Sequence, residues 1–246
     1  MVAAAFVVVA AVAAGCTPAQ FQAWWTAQGH APLQEPELSR AAAAATAYWA
    51  EIARKDRFRW SAAGIDPALA ARMTPSSWRP GCPVPLSSLR HVRVSFMGFD
   101  GAERTGSLVV HADQVNQVAI AFKLMWDAGV RIERMQLVDD FGGSDDASMA
   151  ANNTSAFNCR RVAGSSSWSQ HSYGRAIDIN PVQNPYVSGS TVSPPAGRSY
   201  LDRGNVRPGM VVRGDATVAA FAAVGWGWGG NWSSAKDYQH FSRTGT

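Results

Sequence analysis

An α+β fold, with a mostly antiparallel sheet and flanking helices, is what this sequence predicts, and three observations predict it. Two short stretches with strand-like alternation face each other across a turn. A run with helical spacing follows them directly. A further strand, a long polar loop, a late helix and a last strand then complete the order.

The elements follow from the residues in turn. Residues 17–36 carry prolines and the short aromatic segment "FQAWW", and read as a tether. "ELSRAAAAATAYWAEIARK" (37–55) has an alanine-rich helical composition, and Leu38, Ala42, Ala45, Trp49 and Ile52 recur at three- and four-residue steps. "MTPSSWRPGCPVP" is turn-rich and places a domain boundary at about residue 80. "RHVRVSF" and "TGSLVVHA", joined through "FDG", form a predicted hairpin. "DQVNQVAIAFKLMWDAG" predicts a helix with Asp113 as N-cap and Gly129 at its C-terminal end. "IERMQLV" reads as a strand, 139–170 as loop, and "ATVAAFAAVG" as a short helix closed by Gly225.

With 246 residues, 47% of them apolar, the chain has room for one sizeable domain plus extra segments, or two small domains, and no internal repeat is visible. The net charge of +4 is carried almost wholly by arginine, because Lys55, Lys123 and Lys236 are the only lysines. No Lys/Arg cluster interleaves with aromatics, so no nucleic-acid partner is expected. The first charged side chain is Glu35. Before it, "VAAAFVVVAAVAAG" is an apolar run of 14 residues, shorter than the ~20 that span a bilayer. It reads as an export leader over residues 1–15, though without a basic start. Ala13-Ala14-Gly15-Cys16 resembles a lipoprotein cleavage box that lacks the usual leucine, so lipid attachment at Cys16 and ordinary secretion both stay open. Export permits oxidation, and setting Cys16 aside leaves Cys82 and Cys159 as an even pair for a disulfide. No CxxC spacing suggests a cysteine zinc site.

The chemistry concentrates in "SQHSYGRAIDIN" (169–180) and "DYQHF" (237–241). If the chain turns at Gly174 and enters a strand, Ala176 and Asp178 project from one face, and His171 faces that carboxylate across the turn. His240 supplies a third donor, with Asp237 three residues before it. Two imidazoles and a carboxylate with a fourth position open are a common catalytic zinc arrangement, and a nearby carboxylate can act as general base. Taken singly, each histidine is better explained as a surface or satisfied core residue. His30, His91 and His111 lack comparable surroundings.

Ser169-x-His171-x-x-Gly174-x-Ala176-x-Asp178, followed by Asp237-x-x-His240, resembles the signature of the M15-family zinc peptidases, D-alanyl-D-alanine carboxypeptidases and L-alanyl-D-glutamate endopeptidases that cut bacterial peptidoglycan stems. "AFNCR", "DINPVQNPY" and "GWGWGGNW" resemble the D-alanyl-D-alanine carboxypeptidase-like branch. The similarity spans roughly residues 80–246 and leaves 16–79 as an N-terminal tether and helical segment. It implies a hedgehog/DD-peptidase-like zinc fold, Zn2+ held by His171, Asp178 and His240, and Asp237 as general base where many relatives carry glutamate. It also implies an arginine for substrate and developing negative charge: Arg160, with Arg161 as the alternative. Ser169 is expected to orient a ligand or substrate, or else to cap a turn. Trp228, with Trp226 and Trp232, is expected either to line a substrate cleft or to plug the core.

The function implied is zinc-dependent hydrolysis of peptidoglycan stem peptides by an exported or lipid-anchored monomer, of carboxypeptidase type. The alternatives are an L-alanyl-D-glutamate-type endopeptidase and a non-catalytic, zinc-containing cell-wall-binding module.

Overall fold

The computed structural model describes residues 17–32 and 34–246, so the leader and Cys16 lie outside it. The chain divides into two compact units between Arg57 and Phe58.

The first unit contains α1 (Pro18–Ala27) and α2 (Glu35–Asp56). The expected tether is thus partly helical, and Trp25 stacks on His30 with ring centroids 4.0 Å apart. At the start of α2, the Glu37 carboxylate accepts from the Gln34 backbone N–H at 3.0 Å, which satisfies one of the orphan donors near a helix start. Arg54 and Lys55 occupy its last turn, where cations complement the helix dipole. The side chains of Leu38, Ala42, Ala45 and Trp49 lie outside the described ones.

The second unit begins at Phe58 rather than near residue 80. The cause is β1 (Trp60–Gly64), which pairs antiparallel with β2 (Leu89–Met97) from Trp60↔Val94 to Gly64↔Arg90. β1 is exposed along its whole length, so it has no burial alternation to read. α3 (Pro67–Met73) follows, capped by Asp66, whose carboxylate accepts from Leu69 N–H at 2.8 Å. The expected hairpin is present: β2 pairs with β3 (Glu103–His111) from Leu89↔His111 to Met97↔Glu103. Both faces of the β2–β3 hairpin contribute to a core, while Arg93, Glu103 and Thr105 stay exposed. Val92, Val94, Phe96, Leu108 and Val110 pack with Val118, Ala121, Phe122 and Met125 of α4 (Val115–Asp127). Leu89 and Val109 instead join Met73, Val84, Leu137, Phe157 and Cys159 in a second cluster.

α4 starts later than expected. A 3-10 turn at Ala112–Gln114 precedes it and Gln114 is its N-cap. Asp113 does not cap it, because its carboxylate meets His111 Nδ1 at 2.7 Å, Gln114 Nε2 at 3.0 Å and Arg175 Nη2 at 2.6 Å. Gly129, with φ 72°, ends the helix as expected. The strand expected at 132–138 is shorter: β4 (Arg134–Met135) pairs in parallel with β5 (Asn153–Thr154). The segment 139–170 is not all loop. It holds α5 (Asp145–Ala150), capped by Ser144 with Asp145 and Asp146 in the first turn, and that capping composition is what reads as loop in sequence.

Three short strands carry the centre of interest. β6 (Ala176–Asp178) pairs with β11 (His240–Ser242), which also pairs with β9 (Gly227–Trp228). A separate sheet joins β10 (Lys236–Asp237), β7 (Tyr186–Ser188) and β8 (Thr191–Ser193). Between them α6 (Ala216–Ala223) ends before Gly225, at φ 78°, as expected. Apart from β4–β5 all these ladders are antiparallel, but they form several small sheets rather than one. Cys82 and Cys159 are disulfide-bonded. No helix among the described residues is long and apolar enough to cross a membrane.

Candidate metal centre

His240 and Asp178 are partners across the β11–β6 ladder. Antiparallel neighbours in register put their side chains side by side on one face, so a separation of 62 residues in sequence closes to 3.0 Å between His240 Nδ1 and Asp178 Oδ1. His171 arrives from the 3-10 turn Gln170–Tyr173, which Gly174 closes at φ 66° before β6 begins. Glycine is required there twice over, since a Cβ would also lie 2.6 Å from His111 N. His171 Nε2 lies 3.1 Å from Asp178 Oδ2 and 3.2 Å from His240 Nδ1. The three residues are buried, and one ligand atom of each lies within 4.8 Å of the other two. They are the one such group of histidine, cysteine or acidic side chains among the described residues.

The remaining ring nitrogens fix what these atoms can do. His171 Nδ1 is 2.5 Å from the Ala156 carbonyl oxygen, and His240 Nε2 is 3.4 Å from that of Thr246. A carbonyl can only accept, so the neutral His171 ring donates outward through Nδ1 and turns an unprotonated Nε2 inward. When His240 likewise carries its proton on Nε2, two lone pairs and a carboxylate converge, and a cation between them satisfies all three. A proton is the minimal one. Burial disfavours the charged His171 ring, yet the adjacent Asp178 carboxylate outweighs it and raises the pKa. Burial likewise acts against the Asp178 anion, and the two imidazoles overcome it and hold this carboxyl well below the usual range. A metal ion fits the same donor set, with each histidine oriented through its second nitrogen as metal-binding histidines commonly are.

Asp237 comes from the other sheet. β10 pairs with β7, Asp237 opposite Tyr186, and the chain crosses to β11 within three residues. Its Oδ1 is buried without a hydrogen-bond partner. Burial pushes the carboxyl up to about 7; the His240 charge opposes this and that of Asp178 adds to it. An acid with this value is half-charged near neutral pH, as a proton carrier needs to be. Gly229 makes the approach feasible, because a Cβ there would lie 2.6 Å from the Asp237 carbonyl oxygen and 3.3 Å from His240 Cβ.

The two arginines separate clearly. Arg160 Nη2 meets Asp145 Oδ2 at 2.8 Å, and the charges of both act on His171 and Asp237. Arg161 instead lies over the Trp168 ring, 3.6 Å from its centroid, and bonds the Ser166 carbonyl. Ser169 caps the His171 turn, its Oγ accepting from His171 N–H at 3.3 Å. Trp228 is buried in the main core, donating through Nε1 to the Tyr238 carbonyl at 2.8 Å. Trp226 is also core, bonded to Gln114 Oε1. Trp232 is the indole beside the centre, its ring 5.5 Å from that of His240. Asp145 and Gly229 were not singled out from sequence. The second sits in the quoted "GWGWGGNW", and the first had no signal beyond an acidic residue after a serine.

Residues 163–243 match the family model described as D-alanyl-D-alanine carboxypeptidase, and this match supports an M15-family peptidase. No curated protein and no solved structure matches the chain.

Proposed function

We propose that the protein is a zinc-dependent peptidase of bacterial peptidoglycan stem peptides, of D-alanyl-D-alanine carboxypeptidase type, built on a hedgehog/DD-peptidase-like fold. The observation that carries this reading is the buried convergence of His171, Asp178 and His240 inside the segment that matches the carboxypeptidase family. These three residues would hold zinc, which when bound supplies Lewis acidity, lowering the pKa of water to about 7 and polarising a carbonyl.

The chain's own groups supply the rest. Asp237 Oδ1 takes a proton from the attacking water and returns it to the leaving amine. Its elevated pKa makes both transfers accessible near neutrality. A cation in the centre acts against this elevation and favours the charged carboxylate. Arg160 offers N–H donors to a substrate carboxylate or to developing negative charge. Ser169 holds the His171 turn, its Oγ accepting from the His171 N–H. Arg160 favours the carboxypeptidase over the endopeptidase, because a free terminal carboxylate needs a cation. The Cys82–Cys159 disulfide suits an oxidising, extracytoplasmic site of action, and lipid attachment at Cys16 is a further part of the proposal.

The test is Asp237→Ala. It should retain zinc, measured by metal analysis, while losing turnover of a stem pentapeptide by at least about a hundredfold. Retained turnover would remove Asp237 from its role. Zinc bound by the wild type without cleavage of any stem peptide would favour the binding module.

A further inference from the structure

Arg160 is fixed firmly at its backbone and sparingly at its side chain. Its N–H donates to Ser172 Oγ at 2.9 Å, and its carbonyl accepts from Ser172 Oγ at 2.7 Å and from Ser169 N–H at 3.1 Å. The main chain of Arg160 is therefore tied to the same turn that carries His171. The guanidinium pairs with Asp145, while its Nε is buried without a hydrogen-bond partner. Asp145 stands in the first turn of α5. The turn before it is joined to the Arg160 segment, since Asn158 Nδ2 donates to the Gly143 carbonyl at 3.3 Å.

The pair is poorly placed to serve stability. Its side chains keep 31% and 26% of their exposure, and partly exposed ion pairs of this kind contribute little to folding. Arginine carries rotamer freedom that a single carboxylate partner can remove, and a guanidinium held at one nitrogen still has donors to offer. We propose that Asp145 is a positioning residue for Arg160: its carboxylate anchors one nitrogen of the guanidinium beside the His171–Asp178–His240 centre and leaves the other N–H donors for negative charge arriving there. The role assigned to Arg160 rests on the proposed function; the anchoring itself does not.

Two readouts on the full chain test this. The first is hydrogen exchange of the Arg160 Nε–H, followed by nitrogen-15 NMR and assigned by its loss in Arg160→Lys. Asp145→Asn should speed that exchange at least about threefold, and Asp145→Glu should restore most of the protection. The second is kinetic, with diacetyl-L-lysyl-D-alanyl-D-alanine as substrate and zinc supplied. Asp145→Asn should lower kcat/KM about tenfold, and the same change in an Arg160→Ala background should cost less than about twofold. Unchanged exchange, or an equal loss in the Arg160→Ala background, would overturn the proposal. If the wild type leaves this peptide intact, the carboxypeptidase reading falls, while the exchange measurement still decides whether Asp145 holds Arg160.

Discussion

Removing the Cys82–Cys159 bridge should destabilise the second unit by an amount that its topology sets. The two cysteines are 77 residues apart in sequence. Cross-linking ends this far apart removes loop-closure entropy from the unfolded chain, worth about 4.5 kcal/mol at 25 °C in the chain-entropy treatment. The bonded Cys159 is buried, and its N–H donates to the Ser77 carbonyl at 2.9 Å whether or not the sulfur is present. Alanine at both positions therefore removes the link without burying a new hydroxyl. For a unit of this size the loss corresponds to a fall in Tm of about 9–18 °C. Calorimetry of the metal-free double variant beside the wild type reads it directly. A fall below about 3 °C would refute the entropic reasoning, and so would the wild type losing nothing on reduction.

Other expectations concern the centre itself. Asp178→Asn replaces the one anionic donor. Zinc at a hundredfold excess over its Kd should stabilise the wild type by about 2.7 kcal/mol, and most of that gain should vanish in the variant in a thermal-shift titration. Gly229→Ala places a Cβ 2.6 Å from the Asp237 carbonyl oxygen; it should weaken zinc binding at least about tenfold by displacing the strand ends it separates, at a folding cost of about 1–3 kcal/mol. In the metal-free protein, Asp237 keeps its proton up to about 7 while the unfolded chain releases it near 3.8. The folded state therefore binds more protons across that window, and stability from this group falls as pH rises through it. Asp237→Asn should flatten that fall in denaturant titrations between pH 4 and pH 7, and an unchanged slope would mean the carboxyl is not perturbed.

Much of the centre could be read from residue order because its geometry is local. Gly174 closes a turn, and three residues of β6 then place Asp178, so His171 and its carboxylate neighbour are set within eight positions. The partnership with His240 needed a ladder between distant strands, and neither strand exceeds three residues. Such short strands have no alternation to detect, and the paired motifs, not periodicity, pointed to them. The β2–β3 hairpin was legible for the opposite reason, as each strand runs nine residues around a glycine-bearing turn. β1 is hard to read because, after the exposed Trp60, it holds only serine, alanine and glycine and so shows no alternating hydrophobic face. α5 was missed because Ser, Asp and Asn start a helix and fill a loop equally well. The tryptophans show the limit most plainly: spacing could not tell Trp228, buried under Phe241, from Trp232, beside His240. Arg160 and Arg161 are adjacent in sequence, and only their packing divides them: Arg160 pairs with Asp145, and Arg161 lies over Trp168.

The proposed zinc ion at His171, Asp178 and His240, serving peptide hydrolysis, is tested by digestion of purified muropeptides with the zinc-loaded protein, with and without a chelator, read by mass spectrometry. Loss of one terminal D-alanine, abolished by chelator and restored by zinc, is the expected result. Cleavage that survives complete metal removal, or no cleavage by protein carrying stoichiometric zinc, would contradict it.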